Sequence, residues 1–133
     1  YGNDTVWRMV MDLNKIAVFG KEDGTISKEP QRVLYSLCDG IIGGQGDGPL
    51  NPDPLPLGVI SFSNNSAKND ICMGTIMGFN IHKIPLLRNA LQSLTEKNFN
   101  VELNGKNIDL EALEEISVNT TPPPGWIKYL SEN

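Results

Sequence analysis

The residues with chemical potential gather around one glycine-rich run, Gly40-Ile41-Ile42-Gly43-Gly44-Gln45-Gly46-Asp47-Gly48-Pro49. Repeated glycines permit positive φ and let backbone approach a ligand closely. Successive free N–H groups in such a turn can form a concave nest for an anion. Carboxylates accompany the run: Asp39 precedes it, Asp47 lies inside it, and Asp70 follows the next expected strand. Grouped carboxylates suit a hard cation such as Mg²⁺ or Ca²⁺. The candidate ligand-binding set is therefore Asp39, Gly43, Gly44, Gly46, Asp47 and Gly48, with Asp47 and Asp70 as candidate metal ligands.

Each of these residues also has a plainer use. The glycine spacing is neither G-x-G-x-x-G nor the P-loop pattern, no Lys-Ser/Thr pair follows, and prolines replace the helix that a phosphate site would need. A tight connection that requires glycine for steric reasons accounts for the run more simply. Asp70 is expected to be the N-cap of the helix that begins there, while Asp39 and Asp47 can bond their own backbone in turns. His82, the single histidine, falls in a connection before a helix, so no Ser-His-Asp or Cys-His set suggests itself. Cys38 and Cys72 lie in apolar sequence and are expected to be free, buried thiols, with a disulfide, which needs oxidising conditions, as the alternative. Without any C-x-x-C pair or His/Cys spacing, the chain offers no structural zinc or iron–sulfur motif.

The elements that must position these residues follow from periodicity and turn chemistry. Val6, Val10, Leu13 and Ala17, widened by Trp7 and Met11, predict a helix over residues 4–15 that can run on to Val18. Asp23-Gly24 predicts a tight turn between two short extended pieces. Residues 33–42 and 58–63 read as two buried strands, and residues 43–56, dense in Gly and Pro, as irregular chain. A polar connection over residues 64–69 leads to an apolar helix over residues 70–79. Pro85 opens a further helix whose Ile84, Leu87, Leu91 and Leu94 face inward. Asn104-Gly105 joins a hairpin, Val101–Leu103 with Lys106–Ile108, and Asp109 caps a helix over residues 110–116. The three consecutive prolines within residues 120–125 impose an extended tail, which leads to Trp126, Ile127, Tyr129 and Leu130. The expected fold is α/β (or α+β): a small mixed sheet covered by helices in one domain over residues 1–119, with residues 120–133 docking back or linking onward.

Bulk properties narrow the partners. A chain of 133 residues can bury one core, and its 13 glycines and 9 prolines point to much ordered turn and loop. A net charge of −5 argues against non-specific nucleic-acid binding and against an anionic membrane surface. No apolar run approaches the length of a membrane span. What remains is a small anion, a divalent metal, or another protein. Because the chain begins at Tyr1 with neither Met nor signal peptide, it is expected to be a domain of a longer cytoplasmic protein.

Three pieces in order, Trp7-Arg8…Asp12-Leu13-Asn14-Lys15, then residues 39–49, then Asp70…Met77-Gly78-Phe79, resemble the C-terminal part of domain-of-unknown-function family 362. The resemblance covers roughly residues 5–91, and its most specific piece is the D-G-I-I-x-G-x-G-D-G-P run. Where that family usually reads D-P-V-A-V-D, this chain has Asn64-Asn65-Ser66-Ala67-Lys68-Asn69-Asp70 and keeps the last aspartate. Longer members carry ferredoxin-like cysteine clusters elsewhere, none of which this chain has. The resemblance implies a site without naming a reaction. Two expectations follow: the run beside Asp39, Asp47 and Asp70 lines a cleft for a metal or small anion, or the domain is an interaction module. In a variant of either, it is a half-site completed by the remainder of the parent chain.

Overall fold

In chain order the elements are α1 (Asn3–Phe19), β1 (Ser36–Gly40), β2 (Gly43–Asp47), β3 (Asn51–Leu55), β4 (Val59–Ser63), α2 (Ser66–Ile76), α3 (Pro85–Ser93), β5 (Val101–Leu103), β6 (Lys106–Ile108), α4 (Leu110–Glu115) and α5 (Pro124–Ser131). The computed structural model describes residues 3–95 and 99–131. The class is the expected mixture of helices and small sheets. The strands form three separate antiparallel pairs, β1 with β4, β2 with β3, and β5 with β6.

α2 is the central element. Asn69, Ile71, Met73, Gly74, Thr75 and Ile76 are all buried, so it meets neighbours on several sides. Towards α3 it contributes Ile71 to a cluster with Ile81, Leu87 and Ala90. Towards the β1–β4 pair and α4 it contributes Met73 and Ile76 to a second cluster around Leu113, which is 0% exposed. Half-buried Cys38, Leu57 and Val59 pack on that second cluster.

The start of α2 differs from the expectation. The helix begins at Ser66, and its N-cap is Asn65, whose side chain accepts from the Lys68 N–H at 3.1 Å. Asp70 therefore sits inside the helix, one turn beyond the cap. The polar connection was expected to reach Asn69 because residues 64–69 lack an apolar run. Capping chemistry rather than apolarity sets the first turn. At the other end, the Phe79 N–H donates to the Gly74 carbonyl and the Gly78 N–H to the Thr75 carbonyl. With Gly78 at φ +77°, this is a Schellman ending. A Cβ at position 78 would collide with the Val118 carbonyl oxygen. That close approach lets residues 118–120 strap onto α2, the Val118 N–H bonding the Ile76 carbonyl and the Thr120 N–H the Met77 carbonyl.

Residues 43–56 are also not irregular. They fold into the β2–β3 hairpin, with Gly44 opposite Pro54 and Gly46 opposite Pro52. The two prolines occupy alternate positions of a two-stranded ladder, where a missing N–H can face outward at no cost to pairing. Glycine is needed at position 44, since a Cβ there would lie 2.9 Å from the Cβ of Pro52, diagonally across the ladder. The expected long strand over residues 33–42 shortens to β1, because only Ser36–Gly40 finds a partner in β4.

The remaining expectations match closely. α1 runs to Phe19, and the turn at Gly24 (φ +81°) is closed by a bridge between Gly20 and Ile26. Asn104 and Gly105 take positive φ in the β5–β6 turn, and Asp109 caps α4 by accepting from the Ala112 N–H at 2.8 Å. The extended tail stops short of residue 125, because the third proline, Pro124, opens α5 as a first-turn residue. The helix docks through an edge contact between Trp126 and Phe79 and a 2.7 Å bond from the Lys83 ammonium to the Leu130 carbonyl.

Candidate functional site

The glycine-rich segment is held by the C-terminal strap. The Gly46 N–H donates to the Thr121 carbonyl, and the Thr121 N–H donates to Gln45 Oε1, both at 2.9 Å. Backbone groups that a nest would aim at an anion are thus partly engaged in the ladder and in the strap. Beside the hairpin lies a cleft of about 510 Å³. Gly44, Gly46 and Gly48 line it, together with Pro49, Met77, Phe79 and Trp126, whereas Asp39 and Asp47 do not.

The three aspartates are distributed rather than gathered. In β1 the neighbours of Asp39 face α2: Cys38 packs on the second cluster, and a Cβ at Gly40 would lie 3.4 Å from Met73. Asp39 accordingly points to the opposite side of the pair, where its Oδ1 accepts from the Ile41 N–H at 3.1 Å in a local turn. Asp47 is exposed at the end of β2 opposite Asn51. Asp70 lies on α2 and faces α1 and α3. Among the described residues no group of three or more His, Cys, Asp or Glu side chains is placed to hold a metal. His82 is exposed, and its N–H donates to Asn80 Oδ1. Cys38 and Cys72 are unbridged and half-buried. Burial pushes the Cys72 thiol up to about 11 against the pull of Lys68, so it is not a thiolate nucleophile.

Asp70 opens on a different cleft, of about 420 Å³, between α1, α2 and α3. Met11, Phe19, Leu86 and Ala90 form its apolar walls, and Asp12, Asn14 and Lys15 bring polar groups from α1. The sequence places Asp12 at the end of the first helix and Asp70 at the start of another. Their meeting across one cleft is visible only once α1 is docked on α3. Asp70 is exposed on its outer side, but the cleft walls crowd its carboxyl, and this desolvation raises its pKa above the ordinary carboxylate value.

A further feature is a surface rather than a cleft. One face of the β1–β4 pair carries the second core cluster, and the other is bare. Tyr35, Leu37, Ile60 and Phe62 stand on it at 67%, 71%, 64% and 67% exposure, with Leu37 directly across from Phe62. The Tyr35 and Phe62 rings stack at 5.3 Å. Val33 extends the patch in sequence at 66% exposure. Neither strand pairs on its outer edge with another described strand. α1 has a similar surplus: Val6, Met9, Leu13 and Ile16, at spacings of three and four, are each about half exposed. The full burial expected of these two strands is thus met on one face only.

No protein-family model, curated protein or solved structure matches the chain.

Proposed function

We propose that this chain is an interaction module whose bare β1–β4 face is covered, in the assembled protein, by another part of the parent polypeptide. The observation that carries the reading is the mismatch between pattern and burial. A strand face this apolar belongs to a sheet covered on that side, and here Tyr35, Leu37, Ile60 and Phe62, with Asp39 across from Ile60 as the one charged group among them, meet no described residue layer. With Val33 they expose roughly 500 Å² of apolar surface, at the upper end of what isolated domains leave open. A two-stranded pair with open edges is also a natural template for further strands. The stripe on α1 supports the same reading. Kinship with family 362 belongs to this proposal, as the piece of a larger protein that contributes one layer.

The test compares Leu37→Glu with Phe62→Glu, alone and together, in two settings. In the isolated chain the wild type should self-associate or bind an apolar dye. The double variant should lose both properties while its unfolding free energy stays within about 0.5 kcal/mol. In the full-length protein each substitution should cost about 2 kcal/mol or more, because it would bury an unpaired carboxylate. A wild-type chain with no apolar reactivity, together with neutral substitutions at full length, would overturn the reading.

A second reading keeps a small-molecule role for residues 43–48, and the observation in its favour is the 510 Å³ cleft beside them. Its glycine, proline and aromatic lining fits a flat apolar ligand better than the metal or anion that the sequence suggested. A thermal-shift panel that includes both classes separates them by which compounds raise the midpoint.

A further inference from the structure

We propose that the cleft between α1, α2 and α3 binds an organic ammonium ion with an apolar body, and that Asp70 is its counter-ion. The site shares none of its lining residues with the bare sheet face, so it goes beyond the interaction reading and does not depend on it.

Size and lining come first. A volume of about 420 Å³ falls in the range of small-molecule pockets, which combine apolar walls with a few convergent polar groups. Here the walls are Met11, Phe19, Leu86 and Ala90. The convergent groups on α2 are Asp70 and Ser66, which stand four residues apart and so share one helix face. An ammonium bound there has a carboxylate and a hydroxyl oxygen to receive its N–H groups.

The state of Asp70 gives the second line of argument. Its carboxyl has neither a hydrogen bond nor an ion pair with any described residue, although the cleft partly desolvates it and Lys15 lines the same cleft. A partly desolvated carboxylate left without a donor carries a cost, and a cation delivered to it relieves that cost. Because Asp12, Asp70 and Lys15 together carry one net negative charge, a single positive charge balances the cleft.

Competing ligand classes fit less well. An anion would face two carboxylates. A hard divalent cation takes six or more oxygens, and no three acidic, His or Cys groups converge among the described residues. A fully apolar molecule would fill the walls but leave Asp70 as it stands. An ammonium on an apolar body satisfies both surfaces at once.

The experiment titrates 2-phenylethylammonium and hexylammonium into isotopically labelled protein and follows amide shifts, with 2-phenylethanol and 3-phenylpropionate as neutral and anionic controls. Saturable shifts confined to α1, α2 and α3 are expected for the ammonium probes. Binding should be about tenfold or more weaker for the alcohol, and absent for the carboxylate. Asp70→Asn, which keeps size and shape, should weaken the ammonium probes by a similar factor. Asn14→Arg, an exposed change that adds a positive charge at the cleft, should do the same with no bearing on folding. The inference is overturned if neither ammonium saturates, if the alcohol binds equally well, if the shifts lie elsewhere, or if Asp70→Asn leaves affinity unchanged. None of these outcomes bears on the sheet face.

Discussion

Asp70 is the residue whose environment says most. A carboxyl with a raised native pKa holds its proton more tightly in the folded than in the unfolded protein. The stability linked to it is therefore greatest below the unfolded value near 3.8 and falls as pH rises through that value towards the raised one. Asp70→Asn should consequently raise the melting midpoint at about pH 7 and give no gain at about pH 3. A lower midpoint at neutral pH would mean that the carboxylate has an ionic partner in the folded chain. The sequence marked Asp70 as a candidate through its type and its place after a strand. It did not show that the residue faces α1, because that depends on how α1 docks, and helix docking leaves no local signature in either segment. Asp39 shows the opposite limit: its place beside the glycine run was legible, but strand alternation turns it to the side away from α2.

At the scale of elements, the legible parts are those fixed by local chemistry. The Asn104-Gly105 turn, the Asp109 cap, the Pro85 helix start and the helical stripe of α1 all follow from residues within one or two turns of each other. Besides the shortened β1, two stretches differ from expectation because a second local rule competes. For α2, the apolar run marks where the helix is buried, while Asn65 marks where it starts. Asn65→Ala should therefore cost about 1 kcal/mol in denaturant unfolding, and Asp70→Ala should cost nothing comparable. If the two losses were reversed, the cap would lie at residue 70. For β2 and β3, glycine and proline read as breakers when each residue is judged alone. They become a ladder only as a set, with small residues on one strand making room for rings on the other, and the information lies in the pairing.

Burial among the described residues is organised around α2 and its two clusters, and no described side chain of α5 belongs to either. Deleting the chain from Pro124 onward should accordingly lower the urea midpoint less than Leu113→Ala, which empties a fully buried site and should cost about 2–5 kcal/mol. A larger loss from the deletion would make the tail part of the folding unit. The bare sheet face was hidden from the sequence for a related reason: apolar pattern reports that a face needs cover, never what supplies it. The join at Gly78 has a consequence of another kind. The strap over residues 118–120 is held to the end of α2 by main-chain bonds, with the buried Thr120 side chain packed beside them. In descent, an exposed strap position such as Asn119 is free to change its letter while residue 78 is not. What is inherited at that join is an empty space, carried by the one amino acid that has no side chain to put there.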